Sequence, residues 1–297
     1  MLTNIKKVTN VIRSRPTHWV GDGFPVRQMI SPGDAPGGTS PFLLLDYAGP
    51  HDFPPSNTRR GVGEHPHRGF ETVTLAYQGQ VDHRDSAGHA GSIKPGDVQW
   101  MTAASGVVHE EFHGLDYARQ GGTFEMVQLW VNLPAAHKMD EPRYQALAKE
   151  TIPVVELGAS ATLRVIAGAA FGKQGPAQTF TPINLWDLTL EAGGEAKLTL
   201  PQQSNTLLLV RSGVLRVNDT DSVAAAELAH FEHSGTEIHL ASDEGAEALL
   251  LNGQPIDEPV VSQGPFVMNS DEEIRQAIRD YENGQMGRLE PAWPGSP

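Results

Sequence analysis

Two short stretches of this chain carry side chains that bind transition metals. The first, "GEHPHRGFETVTLAYQG" over residues 63–79, places His65 and His67 one residue apart, just before a strand-like run. Twelve histidines in 297 residues give about half an H-x-H by chance, so the pair needs a partner elsewhere to mean anything. "SGVVHEEFH", residues 105–113, supplies it. Side chains alternate faces along a strand, so Val107, His109, Glu111 and His113 share one face and Glu110 takes the other. The same count from His65 puts His65, His67, Glu71, Val73 and Leu75 on one inward, apolar face, with Pro66 outward at an edge or bulge. His65, His67, His109 and Glu111 together offer three nitrogens and one oxygen. That set suits mononuclear Fe(II), Mn, Ni, Co or Cu(II) with positions left open for substrate. Glu71 is a rival carboxylate because it shares the inward face. His113 is expected to stand behind the ligands or to line a pocket. His83 and His89, in the polar stretch "DHRDSAGHAG", read as exposed hairpin histidines, and His230 and His233 as surface residues.

The elements that must hold these side chains read as strands. Short apolar or alternating runs recur at 70–77, 93–101, 107–113, 123–133, 162–167, 183–190, 206–217 and 246–251, separated by turn residues such as "KPGD" at 94–97. This is the pattern of an all-β sandwich or barrel. The polar segment 134–150, with Pro134 and Pro142, breaks the rhythm and is expected to link two halves, 1–140 and 141–297. Setting Gly79 on Gly213 aligns Val73 with Leu207, Leu75 with Leu209 and Val81 with Leu215, as if both halves were versions of one barrel. On that alignment Thr199 and Pro201 occupy the places of His65 and His67, and matching "SGTEIHL" at 234–240 to "SGVVHEE" at 105–111 puts Ile238 and Leu240 at those of His109 and Glu111. The second half should then hold no transition metal. One short helix is expected near the end: Ser270 and Glu273 form a capping box, Ile274, Ala277, Ile278 and Tyr281 one apolar face, and Gly284 the stop.

Composition narrows the function. At 39% apolar and 20% charged residues the chain is globular, and its formal charge of −14 disfavours direct nucleic-acid binding. With no cysteine, any metal must take His, Asp or Glu ligands. No window approaches 18 apolar residues and the N-terminus lacks a signal-like apolar core, so no membrane span is expected and a cytoplasmic location is the default.

"HPHRGFETVT", "GHAGSIKPGDVQWMTAASGVVHEE", "QLWVNLP" and "GPFVMN" closely resemble the pirin family of the cupin superfamily, in order from about residue 20 to 285. The H-x-H-x3-E of residues 65–71 also resembles the first general cupin motif, with its Gly one residue late. The second motif is represented by Ala104, Gly106, His109 and His113 and departs at two positions. The resemblance implies two cupin-type β-barrels (a bicupin); with the helix and the repeat read above, the expected fold is all-β with a short C-terminal helix, the N-terminal barrel binding metal and the C-terminal one not. It implies one Fe(II) per chain, other divalent transition metals being compatible, on His65, His67, His109 and Glu111, which sets Glu71 aside. For many bacterial members it implies a flavonol 2,3-dioxygenase (quercetinase) activity, in which O2 opens the ring and carbon monoxide leaves. Glu111, or a neighbouring carboxylate, would then take the substrate proton. For other members it implies an iron-dependent regulator that contacts a transcription factor or metabolic enzyme. Val73, Leu75, Trp100, Val107 and Phe112 are expected as pocket wall or core.

Overall fold

The computed structural model describes residues 4–13 and 15–289. The chain divides into two compact units, one of residues 16–35, 42–149 and 256–297, the other of 1–15, 36–41 and 150–255. These units interleave along the sequence and so differ from two continuous halves meeting at residue 140. The N-terminal strand Val8–Ile12 pairs with Glu227–Phe231 of the later unit. The C-terminal helix Asp271–Glu282 belongs to the unit that carries the histidine clusters, where the sequence reading had placed it with the second barrel.

The histidine-bearing unit is built from two antiparallel sheets. The four-stranded sheet runs Gly61–His67, Val107–His113, Val81–Asp85, Ala90–Ile93. The seven-stranded sheet runs Arg143–Leu147, Val98–Thr102, Phe70–Gln78, Gly122–Asn132, Phe42–Phe53, Phe24–Ile30, Thr17–Val20. Apolar side chains of both sheets meet in one core that includes Val81, Ile93, Phe24, Val26, Ala76, Phe124 and Met126. Turns fall where glycine permits them: in "KPGD", Gly96 has φ +90° and the Asp97 amide donates to the Lys94 carbonyl at 2.9 Å. The segment expected as a linker instead contributes the strand Arg143–Leu147, paired with Val98–Thr102. Pro142 lies just before this strand, where a missing N–H breaks no ladder bond.

Gly69 explains one error of the face count. Its φ of +89° turns the chain between Gly61–His67 in one sheet and Phe70–Gln78 in the other. Alternation therefore restarts at Phe70. The even residues Thr72, Thr74 and Ala76 face the barrel interior: Thr74 Oγ1 reaches Glu111 Oε1 at 3.2 Å, and Ala76 packs in the shared core. Glu71, Val73 and Leu75 occupy the opposite face, which is also buried. A Cβ at position 69 would overlap the Val267 carbonyl oxygen, so glycine is required by space as well as by φ.

The helix forms as its sequence dictates. The Ser270 side chain accepts from the Glu273 amide, and Gly284 follows the end with φ +74°. Ile274, Ala277 and Ile278 pack on Val108, Phe266 and Met268, whereas Tyr281 stays 38% exposed.

The second unit repeats the plan. Asn205–Val210 pairs with Ala246–Gly253 and Val214–Val217 with Asp221–Ala224, as Phe70–Gln78 pairs with Gly122–Asn132 and Val81–Arg84 with Ala90–Ile93. Gly213 and Gly79 both take positive φ, so the alignment on these two residues fits the observed pairing. Register shifts its details by one residue. Ile238 stands opposite Leu198, as His109 stands opposite His65, so Leu198 and Leu200, not Thr199 and Pro201, take the places of the HPH histidines. Leu198, Leu200, Ile238 and Leu240 are all buried in an apolar core.

Candidate metal centre

The strands Gly61–His67 and Val107–His113 lie side by side, with His109 directly opposite His65 and Val107 opposite His67. This register brings three imidazoles together: the ring centroids of His65, His67 and His109 lie 4.3–4.9 Å apart. One ligand nitrogen from each lies within 4.8 Å of the others. His109 Nε2 and His65 Nε2 are only 2.9 Å apart, a separation that a shared proton or a shared cation relieves. Burial, together with the neighbouring imidazoles, holds His67 and His109 well below the usual histidine pKa. They are neutral at pH 7, with lone pairs free to ligate. His65 Nδ1–H donates to the Gly63 carbonyl at 2.8 Å, which leaves its Nε2 lone pair for the cluster.

Glu111 enters through a second, overlapping group of His83, His109 and Glu111, again with ligand atoms within 4.8 Å. His109 is common to both groups. The sequence reading missed His83, which it placed in an exposed hairpin; His83 is 1% exposed. It lies opposite Glu111 on the strand Val81–Asp85. The available signal was the alternation Val81, His83, Asp85, hidden because the string "DHRD" reads as polar. His83 Nδ1 lies 3.4 Å from His109 Nδ1, and His83 Nε2 lies 3.4 Å from Asp85 Oδ2. Asp85 also accepts from the amides of Ala87 and His89 at 3.0 Å and contacts His89 Nδ1 at 3.1 Å. Burial alone would raise the Asp85 carboxyl, but the His83 bond and the His89 contacts outweigh it and hold it below its ordinary range. An ionised Asp85 accepts the His83 Nε2–H. His83 Nδ1 then accepts from His109 Nδ1–H, and the His109 Nε2 lone pair faces the cluster.

The remaining candidates lie elsewhere. Glu71 accepts from Thr102 Oγ1 at 2.7 Å, and burial pushes its carboxyl up to about 7. His113 donates through Nε2 to the Gly23 carbonyl at 2.8 Å among Phe24, Phe53 and Phe124, and burial pushes it down to about 4. Neither lines the cavity at the cluster. That cavity, about 430 Å³, is bounded by His65, His67 and Glu111 on one side and by Asp46, Gln128 and Trp130 on the other. Its apolar wall is Val20, Phe24, Val26, Leu44, Val62 and Met126, none of which the sequence reading had named. Val73, Leu75 and Trp100 lie on the far face of their sheet, Val107 packs with Met101 and Ala103, and Phe112 lies under the Arg59 guanidinium.

The donor set fits a divalent transition metal: neutral buried imidazoles, a carboxylate, no thiolate, and hydrogen bonds that fix two tautomers.

Comparison with known proteins follows the same lines. The family model for Pirin matches residues 23–131, and that for the Pirin C-terminal cupin domain matches residues 185–287. A Pseudomonas aeruginosa protein with the provisional name quercetin 2,3-dioxygenase is 52% identical over 285 residues, covering 96% of this chain and 99% of its own. A pirin-like protein of Solanum lycopersicum is 41% identical, covering 90% of this chain and 88% of its own. A crystal structure of quercetin 2,3-dioxygenase from Acinetobacter baumannii superposes with a TM-score of 0.93 at 48% identity, covering 96% of this chain and all of that one.

Proposed function

The chain belongs to the pirin family, and from that premise we propose that it is a mononuclear non-haem iron protein acting as a flavonol (quercetin) 2,3-dioxygenase. The observation that carries this reading is the cavity. It reaches two of the three clustered imidazoles and Glu111, and its walls are apolar enough for an aromatic ligand. A metal serving structure alone would be closed and coordinatively full, so the cavity favours an enzyme over an iron-dependent regulator that contacts a protein partner.

His65, His67, His109 and Glu111 would hold one Fe(II). When bound, the ion supplies Lewis acidity toward the flavonol 3-hydroxyl and redox access to O2. The protein's own contribution is positional. His65 and His109 present Nε2 lone pairs whose direction is fixed by Gly63 and by His83. Glu111 is the proton acceptor for the 3-hydroxyl, with its Oε1 steadied by Thr74 Oγ1. Phe24, Val26, Leu44 and Met126 exclude water from the ring system. The reaction consumes one O2 per flavonol, opens the central ring and releases one carbon monoxide.

Iron-reconstituted protein is expected to consume O2 only when quercetin is present, with one equivalent of carbon monoxide, and a chelator should abolish both. Glu111→Gln should lower kcat by about 10²–10⁴, the usual weight of a general base, while losing much less metal. An absence of turnover by iron-, manganese-, nickel-, cobalt- and copper-loaded protein would refute the enzyme reading.

A further inference from the structure

One residue of the cavity carries a hydrogen-bond donor that the proposed chemistry leaves unused. Gln128, on the strand Gly122–Asn132, stands in register with Thr74 on one side and Asp46 on the other. Paired residues share a face of a sheet, and Thr74 reaches Glu111, so Gln128 also points into the barrel, where it lines the cavity with His67 and Glu111. The buried Thr74 hydroxyl lies 3.0 Å from Gln128 Oε1 and 3.2 Å from Glu111 Oε1, and its one proton is shared between the two oxygens. Thr74 thereby anchors one end of the Gln128 amide. The other end is free: among the described residues nothing accepts from Nε2. Gln128 is half-buried and this nitrogen stays open to solvent, whereas Oδ1 of its register neighbour Asp46 is sealed. A ligand in the cavity can therefore reach the Gln128 nitrogen. Folding gains nothing from an N–H left without an acceptor at an apolar wall. Binding of a ligand that brings an oxygen to it does.

Position decides which oxygen. Gln128 and Glu111 bond the same hydroxyl, so Nε2 belongs to the end of the cavity where Glu111 is to take the 3-hydroxyl proton. The part of a flavonol that comes to this end is the edge carrying the 3-hydroxyl and the 4-carbonyl. Loss of the proton leaves a negative charge shared by those two oxygens through conjugation. We propose that Gln128 is a further catalytic residue of this site: its Nε2–H donates to the 3-hydroxy-4-carbonyl edge of the flavonol and stabilises the charge that appears there as the proton leaves. The inference rests on the flavonol reading and supplies the protein donor that the reading lacks. Such a bond strengthens as charge develops, so it acts on the rate and on an ionisable ligand more than on an uncharged one.

The test uses iron-reconstituted protein and two ligands, quercetin and luteolin, which differs from quercetin only in lacking the 3-hydroxyl. Gln128→Met keeps the length of the side chain and removes the donor; Gln128→Leu takes its place if the methionine variant does not fold. Metal content and near-ultraviolet circular dichroism verify the site in each. The kcat for quercetin should fall by about 10²–10³, the usual weight of one such donor. In anaerobic equilibrium binding, followed by tryptophan fluorescence, quercetin should lose roughly tenfold to a hundredfold in affinity and luteolin no more than about threefold. Equal losses for both ligands, the mark of a change in shape alone, overturn the role of Gln128. So does a kcat within about twofold of wild type, or tighter binding of quercetin by the variant, the sign of an amide that offers its oxygen instead. Wild type that neither binds nor turns over quercetin overturns the flavonol reading itself.

Discussion

His83 shows how a single residue decides whether a cluster of imidazoles can work as a ligand set. Clustered imidazoles can ligate only through a nitrogen that carries no proton, and in His109 that choice is made by His83 and Asp85 behind it. His83→Phe, which preserves the packing on Tyr144 but removes both nitrogens, is expected to weaken metal binding by roughly 10–100-fold. Competition against a fluorescent chelator measures this directly, and an unchanged affinity would show that the His83–His109 contact does not orient the ligand. The HPH and HEE clusters were legible because their spacing is local and the pairing of their strands only had to bring them together. His83 was not legible: its burial depends on which face of Val81–Asp85 the four-stranded sheet covers, and the polarity of its neighbours argued the other way. The same limit hid Asp46, which in the sequence is one acidic residue after an apolar run.

At the scale of elements, the turn at Gly69 separates what the sequence could show from what it could not. The strands on either side were visible; the change of sheet between them was not, and it reversed the inward face of Phe70–Gln78. Gly69→Ala is therefore expected to destabilise the protein by about 2–4 kcal/mol, combining an unfavourable φ with overlap of the Val267 carbonyl, as read by thermal or urea unfolding. The reversed face also gives Glu71 its character. Its folded-state carboxyl is raised to about 7 from an ordinary 4.5, so the folded protein holds this proton more tightly than the unfolded chain. The resulting stability is fully present below about pH 4.5 and is lost as pH rises through about 7. Glu71→Gln should flatten that part of the stability–pH curve. It should be more stable than wild type at pH 8 by on the order of 2 kcal/mol, relative to their difference at pH 4. Its metal content should change little, since Glu71 lies outside both ligand groups.

In the whole molecule, one plan occurs twice with opposite interiors. The repeat was legible from Gly79 and Gly213 because a positive-φ turn leaves a mark in the sequence, and the apolar character of the second interior was legible from its leucines. The exact equivalences were not, because a one-residue register shift is invisible until strands are paired. Nor was the interleaving of the two units, which depends on where the strand Val8–Ile12 and the helix Asp271–Glu282 pack. Where the first unit has His65, His67, His109 and Glu111, the second has Leu198, Leu200, Ile238 and Leu240. Packed leucines offer no ligand atom, so the chain is proposed to hold a single metal in the first unit. Anaerobic titration of metal-free protein with Fe(II), read by metal analysis after gel filtration, tests this most directly. It should saturate at one ion per chain in wild type, and His67→Ala and His109→Ala should each lose most of that ion while remaining folded. Full occupancy in both variants, or a second tight site mapping to residues 150–255, would contradict the assignment.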